Sequence, residues 1–173
     1  LAREAEIERL RHLHIARSAV SQAIVSAETR QELFERVCRE LVEKGGIRMA
    51  WVGWSQLQDA QLQPVASWGD NRGILTDGLP DLAAGDRQPG PDCLHVCNDV
   101  VAAAASEAER QKLIDSEVRA RAVFPIHSKG KVIGALGVYA HESSFFQEQE
   151  IGLLAAAATD VSFALDALVQ EDR

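Results

Sequence analysis

The densest group of reactive side chains is the run Asp92-Cys93-Leu94-His95-Val96-Cys97-Asn98-Asp99. On a β-strand alternate residues share a face, so Cys93, His95 and Cys97 would project together at steps of about 6.5–7 Å. Thiolates and imidazole suit zinc and other soft metals, which makes this trio the candidate for a thiol or metal redox sensor. Three ligands on one straight strand project in parallel, however, and do not converge on a single ion at bond lengths near 2.3 Å. A fourth ligand would have to come from elsewhere in the chain. The trio therefore reads first as small thiols lining a core or pocket beside a half-buried histidine, and no metal is assigned.

Catalytic patterns fail in the same way. Gly53-Trp54-Ser55 is followed by Gln56-Leu57, so there is no nucleophile elbow. His141-Glu142 opens a zinc-protease helix pattern, but Phe145 occupies the second histidine's place. Gly130, Gly134 and Gly137 have the wrong spacing for a dinucleotide or phosphate cradle and lie in or beside a strand. No catalytic residue is assigned, and any enzymatic activity is expected in a separate domain. Trp51, Trp54 and Trp68 fall on two neighbouring strands, where they pack the core or wall a ligand pocket.

Several elements are needed to position these residues. Ala2 to Ala27 reads as one helix, charged at first and then apolar at Leu13, Ala16, Val20, Ala23 and Ala27. Thr29 and Glu32 have capping-box spacing, and the stripe Leu33, Phe34, Val37, Cys38, Leu41, Val42 makes a second helix that Gly45-Gly46 stops. Ile47–Ser55 is a strand with apolar residues on both faces, as for a central strand covered on both sides, and Leu62–Trp68 returns beside it. Gly69 to Pro91 is a long loop, a feature usually functional in a compact domain, with one short apolar rung near Leu79 and Leu82. Cys93–Asn98 is a short strand and Ser106–Val118 a charged helix after the small run Ala102–Ala105. Ala122–Ser128 and Lys131–Ala140 form a hairpin turning at Lys129-Gly130. A last helix runs from about Gln147 to Gln170. The order implies an α+β fold, an antiparallel sheet flanked by helices.

The whole-chain properties agree with one ordinary domain. The 173 residues are 46% hydrophobic and 25% charged, inside the globular range. Twenty-six acidic residues against 18 basic ones give a net charge of −8, which disfavours nucleic acid as a partner. Ile151–Val169 is the most apolar stretch, but Asp160 and Asp166 interrupt it, each costing about 2.5–3.5 kcal/mol near a bilayer centre. It reads as a packed helix rather than an inserted one. Three cysteines without framework spacing point to a reducing, cytoplasmic setting. The chain starts at Leu1 in a charged helical segment, as expected of a piece of a longer protein.

Both terminal helices carry stripes longer than a lone sheet needs for cover. In the last one, Ile151, Leu154, Ala158, Val161, Leu165 and Leu168 repeat at 3-4-3-4-3, a heptad seam. With Leu13 and Val20 of the first helix, these residues are the candidates for pairing with a second copy of the chain.

In three stretches the sequence resembles the GAF domain family of small sensory modules. They are Glu32-Leu33-Phe34-Glu35-Arg36-Val37-Cys38 with Gly46-Ile47-Arg48-Met49-Ala50-Trp51-Val52-Gly53; Val96-Cys97-Asn98-Asp99; and Phe124-Pro125-Ile126 with Gly130-Lys131-Val132-Ile133-Gly134-Ala135-Leu136 and Phe146-Gln147-Glu148-Gln149-Glu150-Ile151-Gly152-Leu153-Leu154. The resemblance covers about residues 13–168. It implies a sheet of five or six strands with the first, second and last helices on one face and a ligand side on the other. Trp51, Trp68, Cys97, Asn98, Asp99 and Phe124 are then the expected pocket residues.

The family's cyclic-nucleotide signature is missing after Asn98. No Cys-His neighbourhood stands in register for a bilin, and Cys93 and Cys97 do not match the arrangement of the methionine-sulfoxide-reducing branch. The segment 85–94, with Gln88-Pro89-Gly90-Pro91, is too short and proline-rich for the family's pocket-closing helix. No cofactor is assigned. The expected organisation is a signalling and dimerisation helix at 1–28, a core at 29–146 and a helix at 147–173 leading to an output such as a diguanylate cyclase, phosphodiesterase or histidine kinase. The expected function is a non-catalytic, homodimeric sensor of a small molecule in two-component or cyclic-di-GMP signalling. A ligand-free dimerisation spacer is the alternative, with the thiol or metal sensor after it.

Overall fold

The computed structural model describes residues 2–54, 63–69, 95–104, 106–129 and 131–171. Two long helices come first, α1 (Ala2–Ser26) and α2 (Arg30–Gly45), then strands β1 (Met49–Trp54), β2 (Gln63–Trp68) and β3 (His95–Cys97). Helices α3 (Val100–Ala103) and α4 (Glu107–Asp115), the hairpin β4 (Ala120–Ser128) and β5 (Lys131–Ala140), and helix α5 (Glu148–Glu171) complete the order. The strands form one sheet in the order β2-β1-β5-β4-β3, and every neighbouring pair is antiparallel. This is the α+β fold expected from the sequence.

Local chemistry sets the helix limits. Thr29 accepts a hydrogen bond from the Glu32 amide at 3.1 Å, while the Glu32 carboxylate takes the amide of Glu28 rather than that of Thr29, at 3.3 Å. Two helix-start donors are satisfied by this variant of the capping box. Gly46 ends α2 in the left-handed region at φ 72°, which a residue without Cβ adopts at no steric cost. The α4 helix stops at Asp115, short of the expected Val118, because Glu117 turns left-handed at φ 62° and the Val118 amide folds back onto the Leu113 carbonyl. A short helix, α3, stands where the sequence shows only a run of small residues, and Asp99 caps it through the Ala102 amide at 3.1 Å.

Alternation along the strands divides the core. Ala50 and Val52 of β1, Ala122, Phe124 and Ile126 of β4, and Leu136 and Val138 of β5 meet α1, α2 and α5 in one large cluster. Met49, Trp51, Val123, Ala135 and Tyr139 point the other way, with Cys97, and pack beneath Val100 of α3 and Leu113 of α4. The central strands are thus apolar on both sides because both sides are covered.

The heptad seam requires a correction. Leu13, Val20, Leu154, Ala158, Val161 and Leu165 are buried in the chain's own core, and Ile151 and Leu168 pack partly buried against it. Helix α1 runs parallel to α5, with Arg9 facing Glu150 and Arg17 facing Asp160, and both lie over the sheet with α2. The stripes are long because each terminal helix must cover the sheet and its neighbouring helix. The six buried ones are not open to a second copy. By length and composition α5 could cross a membrane, and here its apolar stripe is spent on β4 and α1.

Two glycines make contrasting tests. A Cβ on Gly137 would fall inside the Trp51 ring, whereas one on Gly152, on the outer side of α5, meets nothing within 4 Å. Gly137→Ala should therefore lower stability by about 1–3 kcal/mol through overpacking and shift the tryptophan emission. Gly152→Ala should raise stability by up to about 1 kcal/mol through helix propensity. Denaturant midpoints at unchanged slope measure both.

Candidate functional site

The sheet face away from the three long helices is the candidate ligand side. Its described part is built on a row across three strands: Cys97 pairs with Arg121, and Arg121 with Tyr139. Arg121 is buried, and a guanidinium taken out of water is tolerated only when its donors are matched by acceptors. Met49 extends the row by pairing with Tyr139, and beside it lie Trp51, flat against Gly137, and Val123. Arg48 closes one rim, its side chain donating to the Gly69 carbonyl at 2.8 Å and to the Ser116 carbonyl at 3.1 Å. It so joins the end of β2 to the end of α4. Along α4 runs an open groove of about 490 Å³, lined by Ala108, Gln111, Lys112, Asp115 and Ser116, a volume in the range of small-molecule sites. The Ser116 hydroxyl there is buried without a hydrogen-bond partner among the described residues.

The six expected pocket residues divide between the faces. Trp51 and Cys97 lie on the candidate side. Phe124 faces the opposite way, into the core beneath the long helices, because its neighbour Val123 takes the candidate side. Trp68 pairs with Ala50, a helix-side residue, and lies under the Arg39 guanidinium at 5.6 Å. These two are corrected to the helix layer. Asp99 is exposed and caps α3.

Asn98 serves the connection into α5. Its amide nitrogen donates to the Phe146 carbonyl at 3.0 Å and its amide oxygen accepts from the Phe146 N–H at 2.9 Å. Its backbone carbonyl accepts the Ser144 N–H at 2.8 Å.

Arg121 and Tyr139 escaped the sequence reading. Both faces of β4 and β5 are apolar, so alternation shows no preferred side, and only the pairing register puts Arg121 in the row with Cys97. An arginine inside an otherwise apolar strand was the available signal.

Cys93, the loop 70–91 with Leu79 and Leu82, the segment 85–94, and the turn 55–62 lie outside the described residues, as does the side chain of His95. Among the described residues no three side chains of metal-ligating type gather. The remaining thiol, Cys38, is in the helix-side core. Burial, with a smaller contribution from the Glu35 carboxylate, pushes its titration far above the usual thiol range.

A family model described as "GAF domain" matches residues 27–166. A search of curated protein sequences gives no match. Among solved structures, one similar to this chain is the GAF domain of a phosphoenolpyruvate-protein phosphotransferase from Coxiella burnetii, at 17% identity and TM-score 0.68, covering 95% of this chain and 98% of that one. Another is a free methionine-R-sulfoxide reductase from Neisseria meningitidis in complex with its substrate, at 17% identity and TM-score 0.67, covering 92% and 93%. A third is a domain of a putative two-component sensor histidine kinase from Sinorhizobium meliloti, at 18% identity and TM-score 0.64, covering 84% and 96%. At these identities the likeness is one of fold.

The buried thiol is directly testable. Because only a thiolate reacts, Cys38 should resist alkylation in the folded protein at mildly alkaline pH and react once denaturant is added. Peptide mass mapping reads this directly. Modification of native Cys38 at the rate of a free thiol would contradict the burial described here.

Proposed function

This chain belongs to the GAF domain family, and from that premise we propose that it is a sensory module which binds a small molecule on the Trp51–Cys97–Arg121–Tyr139 face and relays the change through paired terminal helices. Members of the family are sensory domains of signalling proteins. The reading places the chain in a multidomain, cytoplasmic protein, with any catalysis in a covalently linked output domain. Its net charge of −8 favours neither nucleic acid nor an anionic membrane as partner.

The observation that carries the proposal is what the parallel helix pair leaves uncovered. Ile7 is 55% exposed, Ile15 45%, Val25 87% and Phe163 of α5 72%. At 100° per residue, Ile7, Ile15 and Val25 fall within an arc of roughly 80° on α1, opposite the side that meets the core. A second copy is the occupant that fits best. A twofold axis beside two parallel helices sets the same apolar patch against itself and makes four helices running in one direction, a geometry suited to carrying a shift toward an output domain. The intermolecular seam is thereby assigned to these outward residues in place of the buried stripe. A ligand acts in this scheme only by favouring one helix arrangement over another, since equal affinity for both would shift nothing.

Light scattering on the purified chain should give a dimer. Ile15→Asp combined with Phe163→Asp should give a monomer whose circular dichroism is unchanged. A wild-type chain that stays monomeric at high micromolar concentration would contradict the pairing. For the ligand, thermal unfolding in the presence of metabolite fractions is the measurement. Saturation at a hundred times the dissociation constant adds about 2.7 kcal/mol, a rise of several degrees, and Tyr139→Phe should reduce it. A dimer that no fraction stabilises would instead be a ligand-free spacer.

A further inference from the structure

We infer that Asn98 is the joint through which the candidate ligand face sets the position of α5 and, by way of the Arg9–Glu150 pair, of α1. The inference rests on the reading that the terminal helices carry the signal, and it adds the residue that connects them to the other side of the sheet. Such a connection is needed because the sheet separates the two layers.

Three observations on independent elements meet at the link between β5 and α5. On one side, Asn98 follows β3 directly, between Cys97 and the α3 residue Val100, both in the cluster of the candidate face. Its side chain holds both backbone polar groups of one residue, the N–H and the C=O of Phe146. With the bond from Ser144 to its carbonyl, three hydrogen bonds tie the start of α3 to the last turn before α5.

On the other side, the link is gripped by α1. The Glu150 carboxylate in the first turn of α5 is buried, with 1% of its side chain exposed, and its partner is Arg9 Nε at 3.4 Å. The same guanidinium reaches Glu142 at 3.5 Å and lies 5.8 Å from the Phe145 ring centre. Phe145 in turn meets Phe146 edge to face at 5.0 Å. The path Asn98–Phe146–Phe145–Arg9–Glu150 is thus continuous in hydrogen bonds, packed rings and an ion pair.

Between the two grips, Ser144 sits at φ 61°. This conformation is uncommon for a residue with a Cβ and persists only where the surroundings impose it. The Gln147 side chain supports it by donating to the Ser144 carbonyl at 2.7 Å. The far part of α5 is fastened separately. Ser162 accepts the His127 N–H at 2.9 Å, and Asp166 accepts from the Ser128 hydroxyl at 2.8 Å. A helix fixed at the hairpin end and held at its start by Asn98 and Arg9 can respond at its start when α3 moves.

Coupling must be reciprocal, so the test reads it in both directions. Hydrogen exchange is measured amide by amide on the full chain. Val100→Ala, at the start of α3, should speed exchange at Phe146 and Ile151. Glu150→Gln, on the helix side, should speed it at Val100 and Ala102. The expected factor is about 2 to 30, the range over which residues along such networks modulate coupling. In the Asn98→Ala background both cross-effects should vanish, while the amides of Leu33 and His127 stay unchanged by either substitution. If Asn98→Ala does not fold, Asn98→Asp, which keeps an acceptor for the Phe146 N–H and removes the donor, takes its place.

Cross-effects that are absent, that survive without Asn98, or that equal a general rise at Leu33 and His127 would overturn the assignment. A failure here leaves the dimer and ligand measurements standing, and their failure leaves this coupling standing. The two readings can therefore be lost separately.

Discussion

The central strands are covered on both faces, and most of the structure follows from that constraint. A strand with a layer on each side has no residue free to serve solvent, so neighbouring side chains go to opposite cores. Ala50 and Val52 are committed to the long helices and Trp51 to the other side, where it lies against Gly137. The same parity sends Phe124 to the helices and Arg121 to the candidate face. Among the described residues of that row, an arginine and a tyrosine are the polar side chains in an otherwise core-like setting.

The constraint also explains why two layers separated by a sheet need a side route for communication. Sheet residues that fill one core cannot touch the other. Contact between the layers has to pass around an edge, and β3, the short edge strand, is where it does. Asn98 follows that strand and holds the backbone N–H and C=O of Phe146. Arg48 makes a comparable bridge at the opposite rim, between the ends of β2 and α4. Each bridge uses side-chain donors on backbone carbonyls, so each satisfies polar groups that would be costly to leave unmatched.

Much of the fold was legible in the sequence because its signals are local. Thr29 and Gly46 bracket α2 as expected, β5 spans the same residues that the hairpin turn suggests, and α5 begins within a residue of its expected start. The α3 helix was hidden because a four-residue helix has no period to detect, and its cap at Asp99 was assigned to ligand instead. The facing of Phe124 was hidden for a different reason. A strand apolar on both sides gives no alternation, and its register is decided by its neighbours. The heptad stripe of α5 reads in the sequence as a seam for a second copy, because periodicity marks a packing face without saying which partner fills it. In the folded chain that partner is the sheet with α1, and the residues left outside, Ile7, Ile15, Val25 and Phe163, have no regular spacing to announce them.

The account depends most on the claim that the outer side of the parallel helix pair meets itself in a second copy. A spin label at Gln22, exposed on α1, tests it directly by dipolar distance measurement on a Gln22→Cys variant in which Cys93 is replaced by serine. Parallel pairing places each position beside its own copy, so the account predicts a single short inter-copy distance of about one to two helix diameters, roughly 10–24 Å. A chain that shows no inter-copy coupling, or a broad distribution of long distances, would contradict it.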